Sequence, residues 1–448
     1  MDAMLNAFTT REGVLHAEGV SVEALAKAHG TPLYIYSLGH VLENYRRLSA
    51  AFAGLDHAVC FSMKANANLG ILSALAREGC GFDIVSGGEL HRVLRAGADP
   101  AKVIFAGVGK TDAEMEYAIR SGIYMFNIES WPEAEALNRA AGRLGRKVKA
   151  DFRINPDVQA GAHKKISTAH KASKFGLPWH ETLDLFTRAR RLRHLDVTGI
   201  HLHIGSQITE LAPFVAAAKR ALELVGRLRA AGFGVRTLNM GGGLGIVYNR
   251  EKAKSPEQYA AALRPLFEGS GLKLIFEPGR YFVGNAGILV TRTVFVKETR
   301  WKDFVIVDAA MNDLIRPSLY EAWHGIVPVR RAAGRPLRRV DVVGPICESG
   351  DFLAQDRRLP LPRRGELLAV QSAGAYGMVM ASNYNQRGRA AEVLVHGRKA
   401  WVTRERESWD DLLRGESVPR ELRAKAQGKA AGEASGKASG KAAGRAAR

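Results

Sequence analysis

Between residues 57 and 276 the sequence alternates short apolar runs with longer segments whose apolar residues recur every three or four positions. The short runs are typical of buried β-strands, and the longer segments are typical of amphipathic helices. The helical pattern is clear in "NLGILSALAREG" and "GELHRVLRAG", and Gly or Pro marks most of the joins. Eight strands are predicted, at residues 57–63, 82–85, 103–105, 124–127, 148–154, 195–204, 235–239 and 272–276.

Eight strands, each followed by a helix, in about 220 residues predict an α/β fold built on a (β/α)8, TIM-like barrel. A doubly wound open sheet is the alternative that such a count leaves open. After Gly284 the segments alternate like strands with little helix between them, which predicts an all-β C-terminal domain. The expected division is an N-terminal segment joining the β-domain at 1–35, the barrel at 36–284, the β-domain at 285–415 and a tail at 419–448.

The charge of the chain is concentrated partly in that tail. The formal net charge is +20, and the last thirty residues hold eight Lys or Arg against two Asp or Glu. Their Ala, Gly, Lys and Ser composition has little to bury, so a disordered tail is predicted. Such a tail can contact nucleic acid or acidic surfaces, but a solubilising or incidental extension is the favoured interpretation.

Cysteine usage and hydropathy bear on the compartment. Cys60, Cys80 and Cys347 show no metal-ligand spacing and cannot all pair, so free thiols in a reducing cytoplasm are expected. No apolar run approaches the roughly 20 residues of a membrane span. The N-terminus "MDAMLNAFTTREG" lacks the pattern of a secretory signal, so neither a membrane segment nor export is expected.

The unusual polar residues fall where the predicted barrel strands end, which is the face that carries active sites in this fold. Lys64 ends the first strand, where it either extends its ammonium to water or forms a Schiff base. His201 and His203 lie at the end of the sixth strand. The seventh strand leads into "NMGGGLG" and the eighth into "FEPGRYF", which begins at Phe276.

Each of these features also has a simpler interpretation. Two histidines at i and i+2 share one face of a strand, so a metal site is an alternative, but no third ligand has evident spacing and none is expected. Glu277 could simply pair with Arg280, and glycines often only form loops. The combination is more specific. A lysine, a histidine that can pack on a ring, a glycine loop for a phosphate and a buried carboxylate are what pyridoxal phosphate needs. The carboxylate would keep the pyridine nitrogen protonated.

The residues also match a known family. Over roughly residues 30–415 the sequence resembles the diaminopimelate decarboxylases, in the alanine-racemase-like, fold type III group of pyridoxal phosphate enzymes. The motifs that carry this resemblance are "FSMKANAN", "GCGFDIVSGGEL", "GIHLHIGSQI", "NMGGGLGI", "EPGR", "DAAMNDLIRPSLYEAWH", "CESGDFLAQDR" and "GAYGMVMASNYN". It implies decarboxylation of meso-2,6-diaminopimelate to L-lysine by a homodimer whose active sites lie at the subunit interface.

The resemblance also implies roles for single residues. Lys64 would be the Schiff-base lysine, His203 would stack on the cofactor ring, and Cys347, from the neighbouring subunit, would donate a proton. The implied cofactor contacts are Lys64, His203, Ser206, Gly242, Gly243, Glu277, Pro278, Gly279, Arg280 and Tyr376. The implied substrate contacts are Arg280, Arg316, Tyr320, Tyr376 and, from the neighbouring subunit, Glu348.

Two departures and two rival functions remain. The segment "AHKKIST" differs from the family's usual Thr-His-Pro-Lys-Ile pattern, and the basic tail is not part of the family. The nearest rival is a decarboxylase of ornithine, lysine or arginine. Those substrates lack a distal carboxylate, and Arg316 facing their ammonium would be repulsive, so the rival is disfavoured. A non-catalytic protein that binds pyridoxal phosphate or nucleic acid is the rival of a different class.

Overall fold

The computed structural model describes residues 7–158 and 174–423, so "AHKKIST" and residues 424–448 of the tail lie outside the described residues. The described chain begins with a small antiparallel sheet of three strands. Its first elements are β1 (Phe8–Arg11), β2 (Val14–Ala17), β3 (Val20–Ser21), α1 (Val22–His29), β4 (Leu33–Ser37) and α2 (Leu38–Ala51).

Eight parallel strands then form a closed barrel. The strands of this region are β5 (His57–Ser62), β6 (Gly81–Ile84), β7 (Val103–Phe105), β8 (Met125–Ile128), β9 (Val148–Asn155), the short β10 (Leu177–Pro178), β11 (Leu195–His201), β12 (Thr237–Asn239) and β13 (Lys273–Phe276). β13 pairs with β5 and β8 pairs with β9, which closes the ring, while β10 pairs with the end of β9. The predicted (β/α)8 barrel is therefore confirmed, and the open sheet is excluded.

Several barrel helices begin next to a polar side chain that caps the first turn. Asn68, Ser86, Thr111 and Ser130 each accept a backbone N–H of the helix that follows. The helices are α3 (Leu69–Arg77), α4 (Gly87–Arg95), α5 (Asp112–Ser121), α6 (Trp131–Arg143), α7 (Thr182–Ala189), α8 (Ala212–Ala230), α9 (Pro256–Phe267) and α10 (Arg280–Val283). The helices with these caps, α3 to α6, begin soon after a barrel strand, so the loops at the carboxyl ends of β5, β6, β7 and β8 are short.

The C-terminal region is a β-domain. Its elements are β14 (Gly287–Lys297), β15 (Asp303–Val307), α11 (Arg316–Tyr320), β16 (Ile326–Pro328), β17 (Leu337–Val343), β18 (Phe352–Pro360), β19 (Leu367–Val370), β20 (Ala391–His396), β21 (Lys399–Arg404) and α12 (Trp409–Leu412). The strand order is β18-β17-β15-β14-β4-β20-β21, and β19 pairs with β14 and β16. Hence β4, from the N-terminal segment, completes the sheet of this domain.

One hydrophobic core runs through both parts of the molecule. Phe61 of the barrel and Phe282 of α10 stack with their ring centroids 5.8 Å apart. The same cluster continues to Val305 and Leu314 of the β-domain, so the two parts pack together around the carboxyl ends of the barrel strands. Of the helices that the structure describes, none is both long enough and apolar enough to cross a membrane.

Candidate active site

Lys64 lies directly after β5, in a single helical turn formed by Met63–Ala65. Its Nζ donates to Oδ2 of Asp83, on neighbouring β6, at 2.8 Å. Ser62 donates its hydroxyl to the same oxygen at 2.6 Å. Burial alone lowers the pKa of Lys64, but the Asp83 carboxylate outweighs it, so the pKa lies above the usual value for lysine. The lysine is therefore a protonated amine held by a buried carboxylate.

A second buried carboxylate, Glu277, follows β13 on the same face. Its Oε1 accepts from Asn239 at 2.6 Å and from Asn127 at 3.2 Å, and Nε2 of His201 lies 3.2 Å from Oε2. Burial opposes ionisation, but His201 and Asn239 outweigh it and lower the pKa of Glu277 to about 2. Arg280 donates elsewhere among the described residues, so the simple Glu277–Arg280 pair considered from the sequence is wrong.

The glycine run after β12 packs closely against two neighbouring loops. A Cβ on Gly242 would collide with the carbonyl oxygen of Glu277, and a Cβ on Gly243 would lie 2.7 Å from the carbonyl oxygen of Gly205. Gly243 also has a φ of +118°, a conformation that residues with a side chain rarely adopt. Glycine is therefore required at both positions. It leaves bare backbone beside the carboxyl ends of the strands, where a phosphate can be bound.

His203 lies two residues beyond the end of β11, next to the glycine run. Its Nδ1 accepts the backbone N–H of Gly242 at 3.3 Å. Burial lowers the pKa of His203 well below the usual value, and the charges of Arg153 and Lys64 lower it further, so the ring is neutral. In the part of the chain that the structure describes, no three His, Cys, Asp or Glu side chains gather as a metal site requires.

Arg280, at the start of α10, links the barrel loops to the β-domain. Its Nη1 donates to the Tyr248 hydroxyl at 2.6 Å and its Nη2 to the Ser206 hydroxyl at 3.2 Å. Its Cζ lies 4.8 Å from the ring centroid of Tyr376. The backbone N–H of Tyr376 donates to the carbonyl oxygen of Ala65 at 2.8 Å, within the turn that carries the lysine. These contacts place Arg280, Ser206 and Tyr376 in one cluster with that turn.

Arg316 approaches the same cluster from the β-domain, at the start of α11, which ends at Tyr320. Its Cζ lies 4.6 Å from the ring centroid of Tyr248, and its Nη1 bonds Nε2 of His324 at 2.8 Å. Burial lowers the pKa of Arg316, and no described carboxylate forms an ion pair with it. A buried guanidinium without a carboxylate partner is an arrangement suited to binding an anion.

Cys347 and Glu348 lie apart from this cluster, on the surface of the β-domain after β17. The Cys347 side chain is exposed, and its backbone N–H donates to Oδ1 of Asn385 at 3.0 Å. Oε1 of Glu348 accepts the backbone N–H of Gly350 at 3.2 Å. Among the contacts of residues 7–158 and 174–423, none joins this pair to Lys64. One chain therefore brings together the other predicted site residues but not these two.

Several residues of the cluster were not among the sequence candidates, including Asp83, Tyr248 and His324. A single acidic residue near the end of an otherwise apolar strand was the available signal for Asp83, because buried carboxylates need partners. Tyr248 and His324 carry no comparable local signal. They join the site only through contacts between segments that are distant in sequence, such as the 5.4 Å edge-to-face packing of their rings.

The residues present fit pyridoxal phosphate. Among the described residues, several buried polar atoms on this face lack a hydrogen-bond partner, including Oδ1 of Asp83, Oδ1 of Asn127 and Nε of Arg280. Since most buried polar atoms in proteins are hydrogen-bonded, their concentration here indicates a site for a polar group. A cleft of about 650 Å³ opens beside Lys64, between the barrel and the β-domain, but its lining does not include the glycine run, Glu277 or Arg280.

Comparisons with known proteins give the following matches. Residues 38–284 match the family model of the pyridoxal-dependent decarboxylases, pyridoxal binding domain. The sequence is 53% identical to the diaminopimelate decarboxylase of Pseudomonas aeruginosa, over 92% of this chain and 99% of that protein. The diaminopimelate decarboxylase of Vibrio cholerae is 50% identical, over 91% and 97% respectively. The crystal structure of diaminopimelate decarboxylase from M. jannaschii in co-complex with L-lysine has a TM-score of 0.89 and 35% identity, covering 94% of this chain and 100% of that chain.

Proposed function

Because this chain belongs to the diaminopimelate decarboxylases, a family of pyridoxal-dependent enzymes, we propose that it converts meso-2,6-diaminopimelate to L-lysine and CO2 in the last step of lysine biosynthesis. It is a carboxy-lyase, and its cofactor is pyridoxal 5'-phosphate. One observation carries the proposal most directly. Lys64, an amine at the carboxyl face of the barrel, lies in the same cluster as Arg316, a buried guanidinium that has no carboxylate partner among the described residues.

The cofactor would be held by residues from several barrel loops. They are Lys64, His203, Ser206, Gly242, Gly243, Glu277, Pro278, Gly279, Arg280 and Tyr376. When bound, the cofactor supplies an aldehyde that condenses with amines and a protonated ring that accepts the electron pair left by departing CO2. Glu277, ionised by its neighbours, is the carboxylate that would keep the ring nitrogen protonated.

Lys64 must lose a proton before its Nζ can act as a nucleophile. Oδ2 of Asp83, 2.8 Å away, is positioned to take that proton. The same carboxylate would hold the ammonium again once the substrate amine has replaced the lysine. Asp83 is therefore proposed as the residue that holds the Lys64 ammonium in place whenever the lysine nitrogen is not bonded to the cofactor.

Recognition of the substrate rests on its second amino-acid centre. Arg280, Arg316, Tyr320 and Tyr376 are proposed as contacts from one chain, and Arg316 would bind the distal carboxylate through paired N–H groups. Glu348 of the neighbouring subunit would bind the distal ammonium. This pairing selects a substrate with a carboxylate and an ammonium at its far end.

The final proton is assigned to Cys347, which would deliver it to the carbon that has lost CO2. Since Cys347 and Glu348 are exposed in one chain, the proposal has them reach the Lys64 site of a second copy, in a homodimer with shared active sites. We also propose a cytoplasmic location, supported by three unpaired cysteines. The proposed domains are those expected from the sequence, and the tail has no assigned role.

The direct experiment is to incubate the purified protein with pyridoxal phosphate and meso-diaminopimelate and to measure CO2 and L-lysine. Stoichiometric formation of both supports the proposal. L-Ornithine, L-lysine and L-arginine are tested in parallel, because the rival decarboxylases act on them. Preference for any of these over diaminopimelate would move the protein to the rival class, and a protein that binds no cofactor would contradict the proposal altogether.

Arg316→Lys tests the substrate assignment. A lysine presents a single charged nitrogen where arginine presents a planar fork, so bidentate contact with the distal carboxylate is lost. The KM for meso-diaminopimelate is expected to rise by about tenfold or more, which corresponds to at least one charge-assisted hydrogen bond. A variant with an unchanged KM would show that Arg316 does not contact that carboxylate.

A further inference from the structure

Arg316 is a buried cation that is fixed by neutral groups. Its side chain is held on one side by the hydrogen bond from Nη1 to Nε2 of His324 and on another by the face of the Tyr248 ring. Arg316 is 6% exposed and His324 is fully buried. A guanidinium on a flexible stem has many rotamers, so contacts on two sides are what give it a single orientation.

The hydrogen bonds of His324 allow only one arrangement of its ring. Nδ1 lies 2.8 Å from the carbonyl oxygen of Gln371, which can only accept, so Nδ1 carries the hydrogen. Nε2 is then an acceptor, as the arginine donor requires. Burial, followed by the charge of Arg316, lowers the pKa of His324 to about 3, so the ring stays neutral near pH 7.

The support of His324 is itself rigid. Gln371 directly follows β19, and its backbone N–H donates to the carbonyl oxygen of Gly325, the residue after His324, at 2.8 Å. The imidazole also packs edge-to-face on Tyr248, whose hydroxyl accepts from Arg280 at 2.6 Å. One side of the cluster is therefore anchored to the β-domain sheet and the other to a barrel loop.

We propose that His324 is a positioning residue, which fixes the Arg316 guanidinium so that its remaining N–H groups receive the distal carboxylate of the substrate. The inference rests on the proposed function, in which Arg316 binds that carboxylate. Arginine has five N–H groups, so one bond to His324 leaves enough for a bidentate contact. Without the imidazole acceptor, the Arg316 guanidinium is free to rotate on the Tyr248 ring. Its paired N–H groups are then no longer held in one orientation towards the substrate carboxylate.

Two variants separate the acceptor from the packing. His324→Phe keeps an aromatic ring against Tyr248 but has no acceptor, whereas His324→Gln offers Oε1 as an acceptor and an amide N–H for the Gln371 carbonyl. Each enzyme, loaded with pyridoxal phosphate, is assayed for the KM and kcat of meso-diaminopimelate and for inhibition by 1,5-diaminopentane. This diamine has the carbon chain and both amines of the proposed product, L-lysine, but no carboxylate, so its inhibition constant reports on the rest of the site.

For His324→Phe we expect the KM for diaminopimelate to rise on the order of ten- to a hundredfold, with a smaller change in kcat. The inhibition constant of 1,5-diaminopentane should stay within about twofold of the wild-type value, because this diamine has no carboxylate for Arg316 to bind. His324→Gln should recover most of the lost affinity. If His324→Phe does not fold, His324→Leu takes its place, since it also lacks an acceptor.

His57 provides the matched control. It is a half-buried histidine at the start of β5, with Nδ1 2.9 Å from the carbonyl oxygen of Leu55 and Nε2 3.3 Å from the Ser49 hydroxyl. His57→Phe should change neither the KM nor the inhibition constant. An unchanged KM in His324→Phe, or equal shifts in KM and in the inhibition constant of 1,5-diaminopentane, would overturn the role of His324. An inactive wild type would instead contradict the proposed function, so the two failures are distinguishable.

Discussion

Lys64 is presented by the folded chain as an ammonium, because Asp83 holds it at 2.8 Å and raises its pKa. Such a partner holds the ammonium in place at the end of a buried strand, where the lysine side chain is partly exposed. It also sets a condition on the proposed chemistry, since the proton must leave Nζ before the nitrogen can react. The protonation state of Lys64, and with it the reactivity of its nitrogen, therefore depends on Asp83.

Lys64→Ala is expected to abolish turnover and the visible absorbance of the bound cofactor, because the covalent anchor is lost. Far-UV circular dichroism should remain that of the wild type, since the turn Met63–Ala65 accommodates alanine. Lys102→Ala is the control. Lys102 is an exposed lysine that donates to the Gly79 carbonyl at 3.2 Å, and its loss should leave absorbance and CO2 release unchanged. A Lys64→Ala enzyme with wild-type turnover would refute the assignment.

At the scale of elements, the barrel could be predicted because its signal is local. Every predicted barrel strand overlaps an observed one, and β7 (Val103–Phe105) has the predicted ends. The sixth strand was predicted to reach residue 204 but ends at His201, although the backbone N–H of Leu202 still donates to the carbonyl oxygen of Asn239 in β12 at 2.8 Å. The strand-end residues of the site were therefore predictable from position, while Tyr248 and His324 depend on packing between the barrel and the β-domain.

The loop between β15 and α11 carries a buried carboxyl group, Asp313, which lies just before Arg316 in the sequence. Its Oδ2 accepts the backbone N–H of Ala310 at 3.0 Å, and its own carbonyl oxygen accepts from the Tyr34 hydroxyl at 2.7 Å. Burial raises the pKa of Asp313 from 3.8 to about 7, although the Ala310 N–H and the charge of Arg387 oppose the shift. The folded chain therefore holds this group protonated in acid and must ionise it near neutral pH.

Asp313→Asn tests that loop. A carboxyl group whose pKa is raised by folding contributes stability below its unfolded pKa and loses it as the pH rises through the folded value, here between about 4 and 7. Asparagine keeps the acceptor and has no charge to bury. The difference in unfolding free energy between the variant and the wild type should therefore increase in favour of the variant by on the order of 2 kcal/mol between pH 5 and pH 8. Urea unfolding of both proteins at pH 5 and at pH 8 measures this difference. A difference between variant and wild type that is the same at both pH values would contradict the raised pKa of Asp313.

At the scale of the whole molecule, one chain assembles the lysine, the glycine run, both carboxylates and both arginines, but leaves the exposed Cys347 outside this cluster. The proposed mechanism needs a proton donor at the carbon that loses CO2. If the β-domain of a second copy supplies it, two-fold symmetry makes the two sites equivalent, because each chain gives its lysine to one site and its cysteine to the other.

Complementation between two inactive variants tests this shared site. When Lys64→Ala and Cys347→Ala chains are unfolded together and refolded, one site of each mixed dimer carries both substitutions and the other carries neither. Random pairing makes half of the dimers mixed, so recovered CO2 release should approach roughly a quarter of the wild-type value. Each variant refolded alone is the control and should stay inactive. If both residues came from one chain, every site would carry a substitution, and confirmed heterodimers without activity would show that the site is not shared.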